Sequence, residues 1–301
     1  MNEKKTLITH NGSFHTDDIF ACATLSLMLE KKGEKFEIIR TRDEEIIKTG
    51  DYVFDVGGVY DEESNKFDHH QIGGAGKRPI GNLEVEYSSF GLVWKKFGLE
   101  FTNSEVAVKL VDKNLVAPID AHDNGFTLAE NKYEVTPYLI NNFIQIMRPT
   151  WNENPKNMEA SFLKCVDVAK EILSREIIYV EDALEASQLV TAIYNNTEDK
   201  RIIVLDKNYS YGDVLEELSD LLFVVYPRES DGFWAVKAVR VKSKTFQNRK
   251  NLPNAWAGLR DQELQKATGV PDSVFCHRAL FFAVAKSQAG AIKLAQIALE
   301  S

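Results

Sequence analysis

The first third of the chain alternates short apolar runs with longer stretches of helical periodicity. Thr6–His10 reads as a strand, and the apolar-rich helix Asp17–Lys32 follows, ending at Gly33. Phe36–Thr41 is a second strand, Ile46–Gly50 closes a short helical piece, and Asp51–Val56 is a third strand running into Gly57-Gly58. Ser88–Phe97 and Ser104–Val116 carry helical spacing, with Ser88 and Ser104 placed to cap their first turns. Strands alternating with helices at this spacing predict an α/β fold, a doubly wound and mostly parallel sheet. Such sheets take ligands at the carboxyl ends of their strands, where His10 and Asp55 lie.

From about Asn157 to Asn196 the pattern is helical, and a second α/β unit then begins. Arg201–Leu205 reads as a strand and Tyr211–Leu218 as a helix. Leu221–Tyr226 and Phe233–Val241 form a hairpin around Glu229-Ser-Asp-Gly232, and Ser287–Leu299 is a closing helix. The expected organisation is a doubly wound domain over 1–150, a helical connector over 151–198 and a smaller α/β accessory domain over 199–301. There is no internal repeat and no low-complexity tract.

The chain has 301 residues, 44% of them hydrophobic and 27% charged, so a folded core is expected rather than disorder. No stretch reaches the roughly 18 uninterrupted apolar residues of a membrane span, and the first residues lack the apolar core of an export leader. A cytoplasmic protein that does not engage membranes is the expectation. The net charge of −9 disfavours coating long duplex DNA, while leaving room for nucleotides in a local basic pocket. Cys22, Cys165 and Cys276 are far apart and form no C-x-x-C pair, which predicts reduced, buried thiols.

The chemistry concentrates in four clusters: His10-Asn-Gly-Ser-Phe-His15-Thr-Asp17-Asp18, Asp55-Val-Gly-Gly, Asp68-His69-His70-Gln71, and Asp120-Ala-His-Asp123-Asn-Gly125. Four of the six histidines fall in the first and third clusters and a fifth, His122, in the fourth. Each piece alone has a plain explanation: Asp17 and Asp18 suit a helix N-terminus, and Asp123-Asn-Gly125 suits a turn. Recurrence at successive strand ends points instead to one site. Imidazoles and carboxylates without thiolates suit a hard or borderline divalent ion: Mn²⁺ first, with Mg²⁺, Fe²⁺ or Zn²⁺ as alternatives. At least six candidate ligands is the number for two ions sharing a carboxylate, roughly 3.5–4 Å apart, a pair suited to phosphoryl chemistry.

These segments, with Arg40-Thr-Arg42-Asp43, Tyr60-Asp61, Leu252-Pro-x-x-Trp256-x-Gly258-Leu-Arg260 and Phe275-x-His277, resemble the melanocyte-proliferating-gene family. That family is a branch of the DHH phosphoesterase superfamily, with RecJ-like exonucleases, nano-RNases and family II pyrophosphatases. The resemblance implies metal ligation by His10, His15, Asp17, Asp55 as the bridge, His69, and Asp123, with Asp120 as the competing last ligand. It implies that His70, beside Asp68, contacts the scissile phosphate. It further implies that the second half faces the metal site across a cleft, with His277 directed into it. After His277 this chain reads Arg278-Ala-Leu-Phe-Phe, where the family has a pair of glycines that could cradle a phosphate.

Between Phe233 and Lys250 lie six basic residues and no acidic one: Lys237, Arg240, Lys242, Lys244, Arg249 and Lys250. Phe246 sits among them and Trp234 just before. Cations interleaved with a ring suit a short single strand, and Arg240, Lys244 and Arg249 are the expected phosphate contacts. The expected function is a metal-dependent phosphodiesterase on short RNA or nucleotide phosphodiesters, with the 3′-to-5′ exonuclease polarity and the preference for RNA implied by the resemblance alone. The alternatives are a small-molecule phosphohydrolase, such as a pyrophosphatase or nucleotide bisphosphate phosphatase, and a low-turnover, metal-dependent nucleotide-binding protein.

Overall fold

The computed structural model describes residues 4–301 except 132, 211–212 and 243–244. The chain divides into two compact units, 1–180 and 181–301. In the first, β1 (Lys5–Thr9), α1 (Thr16–Lys31), β2 (Phe36–Arg40), α2 (Glu44–Ile47) and β3 (Tyr52–Phe54) follow in order. Then come β4 (Tyr60–Asp61), β5 (Lys66–Phe67), β6 (Lys77–Ile80) and β7 (Leu83–Glu86). The main sheet has the order β2-β1-β3-β5-β4, parallel except at the β5–β4 edge, and β6 and β7 form a separate hairpin. The fold is α/β, as the strand–helix alternation predicts.

Helix α1 is buried on all sides along most of its length, from Thr16 through Ser26, which explains its continuous apolar composition. It packs against α3 (Ser89–Phe97). Next come α4 (Glu105–Val111), a π-helical turn at Asp112–Val116, and α5 (Ala117–Asp123), which also packs on α1 and α3. The helix expected over Ser104–Val116 therefore does not end there. The π-turn carries it into α5, so the fourth Asp/His cluster lies on a helix and not at a strand end. Pro118 sits in the first turn of α5, directly after the π-turn.

A buried network fixes α5. Asp120, fully buried, accepts hydrogen bonds from Arg78 (2.5 Å), Ser88 Oγ (2.5 Å) and the Gly91 N–H (3.1 Å). Arg78 also lies 3.1 Å from Asp112. A β-carbon at Gly91 would overlap the Asp120 carboxylate, so α3 needs glycine where it passes this group.

Helix α6 (Ile140–Ile146) follows, and α7 (Asn157–Asn196) runs through 40 residues, the first part in one unit and the rest in the other. Among the described residues no helix is long and apolar enough to cross a membrane.

The second unit contains β8 (Ile202–Val204), α8 (Val214–Glu217), β9 (Phe223–Pro227), β10 (Trp234–Ala238), α9 (Asp261–Thr268), β11 (Ser273–Cys276), β12 (Phe282–Ala285) and α10 (Gln288–Glu300). Its sheet has the order β11-β12-β10-β9-β8, antiparallel except for β8 beside β9. The predicted hairpin pairs Phe223 with Ala238 and Pro227 with Trp234. The helix expected from Tyr211 is only one turn long, and Tyr211 lies outside the described residues. Trp256, from the Leu252–Arg260 motif, is buried in this unit's core with Leu252 and Leu264.

Arg78→Ala would leave Asp120 buried without its cation and is expected to cost about 3–5 kcal/mol of stability. The urea-unfolding midpoint measures it, with Gly91→Ala shifting in the same direction. Losses under about 1 kcal/mol in both variants would mean that the network does not hold α5 in place.

Candidate metal centre

The carboxyl ends of β1, β3 and β5 bring three of the four clusters together, and the last turn of α5 supplies the fourth. His10 follows β1, Asp55 follows β3, and Asp68, His69 and His70 follow β5. Asp55 is the hub. It is buried, and its φ of 54° is the left-handed region, which a β-bearing residue adopts at a cost when its surroundings require it. One carboxylate oxygen lies 3.1 Å from His10 Nε2; the other lies 3.4 Å from His69 Nε2 and 3.6 Å from His70 Nδ1.

The N-terminus of α1 adds two carboxylates. His15 is the N-cap residue, and its N–H donates to Asp18 Oδ1 at 2.9 Å, while Asp18 Oδ2 lies 3.2 Å from His10 Nε2. Asp17 takes a hydrogen bond from Ser89 Oγ (2.8 Å) and lies 3.8 Å from His69 Nε2. Asp123, from α5, lies 3.3 Å from His69 Nε2. Its neighbour one turn back, Asp120, has both oxygens engaged by Arg78, Ser88 and Gly91. Asp123 thus faces the cluster and Asp120 holds the helix that carries it.

The donor set fits a divalent cation. Three overlapping groups each place their ligand atoms within 4.8 Å of one another: His10, His15 and Asp55; Asp55, His69 and His70; His15, Asp17 and Asp123. Among the described residues, Asp17 Oδ1, Asp55 Oδ1 and His69 Nε2 are buried without a hydrogen-bond partner, an expensive arrangement unless a cation satisfies them. His10 Nδ1 lies 3.0 Å from the Asn11 carbonyl, which accepts only, so that nitrogen carries the proton and Nε2 is left as the ligand atom.

Electrostatics point the same way. Burial by itself would lower His10, but Asp18 and Asp55 outweigh it and raise the ring to about 10. Burial is likewise outweighed at His69 by Asp55, Asp17 and Asp123, which raise it to about 9. Burial and the charges of Asp17 and Asp55 push Asp123 up to about 8, against the pull of His69. Asp55 moves the other way: its two histidine partners overcome burial and hold it well below the usual carboxylate range. Protons therefore occupy positions that a divalent cation would take.

His70 is different in kind. Its ring is 61% exposed, and Nδ1 sits 2.7 Å from Asp68 Oδ1. Asp68 also accepts from the Gly58 N–H (2.6 Å) and the His70 N–H (3.1 Å), and these bonds outweigh burial to keep it ionised. An ionised Asp68 can only accept, so Nδ1 is protonated and Nε2 is turned to the opening. A cavity of about 280 Å³ lies there, lined by His10, His15, Asp55, Asp68 and His70, with Arg42 also on its wall.

In the second unit the expected contacts separate. Arg240 lies under the Phe246 ring at 5.2 Å, and Phe246 is 92% exposed. Lys244 lies outside the described residues. Arg249 is not a free phosphate contact, because its guanidinium donates to the carbonyls of Leu215, Glu216, Leu218, Ser219 and Leu221, closing the end of α8. Trp234 packs against the core of this unit. His277 Nδ1 accepts the Ala279 N–H at 3.0 Å, and its ring lies 4.5 Å from Phe281. The expected ligand list does not include Asp18 or Ser89, which orient His10 and Asp17. The signal for Asp18 is its place three residues after the helix-capping His15.

A family model described as an uncharacterised protein family (UPF0160), MYG1 exonuclease, matches residues 6–299. The chain belongs to this family. Human MYG1 exonuclease is 32% identical over 322 residues, spanning 97% of this chain and 85% of that protein. A MYG1 protein of Saccharomyces cerevisiae is 31% identical over 331 residues, 98% and 96% of the two chains. Among solved structures, RecJ from Thermus thermophilus in complex with Mn²⁺ aligns at 12% identity and a TM-score of 0.29. That alignment covers 99% of this chain and 52% of the RecJ chain.

Because His10, His69 and Asp123 hold protons that a cation must displace, Mn²⁺ affinity is expected to rise with pH from 6 to 9 and flatten above the raised values. Each displaced proton contributes about tenfold per pH unit. Calorimetry in buffers of different ionisation enthalpy should register proton release at pH 7. Affinity that does not change with pH would remove the histidines from the ligand set.

Proposed function

We propose that the protein is a metal-dependent phosphodiesterase acting as a 3′-to-5′ exonuclease on short single-stranded RNA or nucleotide phosphodiesters. The chain is a hydrolase of the MYG1 exonuclease family. The observation that carries the reading is Asp55: one buried carboxylate directed at His10 on one side and His69 on the other. That arrangement supports two cation positions with Asp55 between them. His10 and His15 would serve with it on one flank, and Asp17, His69 and Asp123 on the other. Mn²⁺ is the preferred ion, since the donors are nitrogen and carboxylate oxygen with no thiolate.

Bound divalent ions would supply activation of water and neutralisation of charge on the phosphoryl oxygens. The protein's own groups do the rest. Asp68 fixes the His70 ring so that Nε2 faces the opening, where, protonated, it donates to a nonbridging phosphate oxygen. The hydrogen bond to Asp68 is the largest influence on His70 and raises it, favouring that donor form. The exposed Phe246 ring with Arg240 against it is a platform on which a base can stack.

The test is cleavage of a 5′-labelled short RNA with Mn²⁺, against EDTA and Asp55→Ala, with pyrophosphate and a nucleoside 3′,5′-bisphosphate in parallel. A metal-dependent ladder shortening from the 3′ end, and at least a hundredfold slower in Asp55→Ala, is expected. Phe246→Ala should raise the KM for RNA and leave small substrates unchanged. Phosphate release from the small substrates alone would replace the exonuclease reading, and no turnover with Mn²⁺ bound would overturn it.

A further inference from the structure

Arg40-Thr-Arg42-Asp43 does not belong to the ligand set, yet parallel pairing puts it beside the metal centre. Thr9 is in register with Arg40, and the Thr41 N–H donates to the Thr9 carbonyl at 2.8 Å, so β2 ends next to His10. Three of the four residues have structural tasks. Arg40 is buried against the Phe162 ring at 4.3 Å and donates to the Gly12 carbonyl at 2.7 Å. The Thr41 hydroxyl accepts the Asp43 N–H, and Asp43 accepts from the Glu45 and Ile46 N–H groups at the start of α2.

Arg42 has no comparable task. It is exposed, and its guanidinium reaches the Asn11 carbonyl only at 3.5 Å, the weak limit of a hydrogen bond. No ion pair involves it among the described residues. It stands on the wall of the metal-centre cavity, where the other charged lining groups are the ligands, Asp68 and His70. Beyond it, sharing Arg42 and Val56 as a common wall, lies a second cavity of about 520 Å³. That cavity has Lys66 and Lys48 on its sides, one acidic residue, Glu44, and an apolar floor of Ile47, Val53 and Val59. Lys48 rests on Glu45 at 2.6 Å, but both are exposed and the pair opens readily. The excess of cations runs against the chain's net charge of −9.

We infer that Arg42 and Lys66, with Lys48 at the rim, form a subsite for a second phosphate beside the metal centre, and that the apolar floor receives the adjoining nucleoside. The inference rests on the phosphoesterase reading of the metal centre and sharpens it. The substrate carries another phosphate one nucleotide away from the scissile one, as an oligonucleotide or nucleoside bisphosphate does and pyrophosphate does not. A guanidinium suits this role because it can engage two phosphate oxygens at once. Gly57 lines the same cavity at a φ of 97°, and a β-carbon there would come within 3.3 Å of Ile47, so the wall stays thin at this point.

The test compares a dinucleotide with and without a 5′-phosphate as substrates for the Mn²⁺-loaded protein. The native protein should show a KM roughly 10- to 100-fold lower for the phosphorylated form, the scale of a charged hydrogen bond. Arg42→Ala and Lys66→Gln should abolish that difference while keeping Mn²⁺ affinity and kcat on the unphosphorylated dinucleotide within about twofold. Arg42→Lys should restore part of it. Equal KM values in the native protein, or an equal loss on both substrates in Arg42→Ala, would overturn the subsite. Equilibrium binding of a nucleoside 3′,5′-bisphosphate against the 5′-monophosphate reads the subsite without turnover. A bisphosphate preference lost in Arg42→Ala, with neither dinucleotide cleaved, would keep the subsite and sink the exonuclease reading.

Discussion

The Asp55 carboxylate is the constraint on which the first unit depends. A single side chain at the end of β3 has to face His10 from β1 and His69 from beyond β5 at once. An extended backbone there would point the side chain to one face of the sheet; the positive φ ends the extended run at the residue whose carboxylate meets both histidines. The cost of that conformation is borne by the parallel ladders on both sides, β1 against β3 and β3 against β5, which leave the residue no other course.

Gathering carboxylates in this way is unfavourable by itself. Asp17, Asp18, Asp55 and Asp123 crowd one buried region of a chain that is already acidic, and burial with mutual repulsion raises three of the four. Histidine protons offset part of this charge. A divalent cation offsets more and satisfies the atoms left without hydrogen bonds, so folding of this unit and metal affinity are linked. Groups with no part in ligation bear the structural load: Ser89 on Asp17, Asn11 on His10, and Arg78 with Asp120 under α5.

Much of this was legible in the residue pattern. The strands near Thr6, Phe36 and Asp51 and the long helix from Asn157 to Asn196 follow from periodicity, and helix α1 from its apolar run, since it is buried on all sides. The two-residue strands β4 and β5 and the β6–β7 hairpin were not, since Tyr60–Ile80 is rich in glycine and charge and its pairing is set by distant partners. Asp120 and Asp123 could not be separated from spacing: one turn of helix apart, they differ only in which neighbours the tertiary fold supplies. Arg249 looked like a surface cation because nothing in its surroundings along the chain reveals the five carbonyls of residues 215 to 221 that it closes.

The π-turn at Asp112–Val116 holds one residue more than a regular helix would, and one residue amounts to about 100° of rotation. That extra residue, absorbed in the wider turn, sets the rotation of α5: the same five residues wound as a regular α-helix would swing everything after them round by that angle. Asp123 would then leave the centre and Asp120 would leave Arg78, with every side chain of the site still present. The shape of one helical turn, which carries no ligand, therefore decides whether the ligands meet.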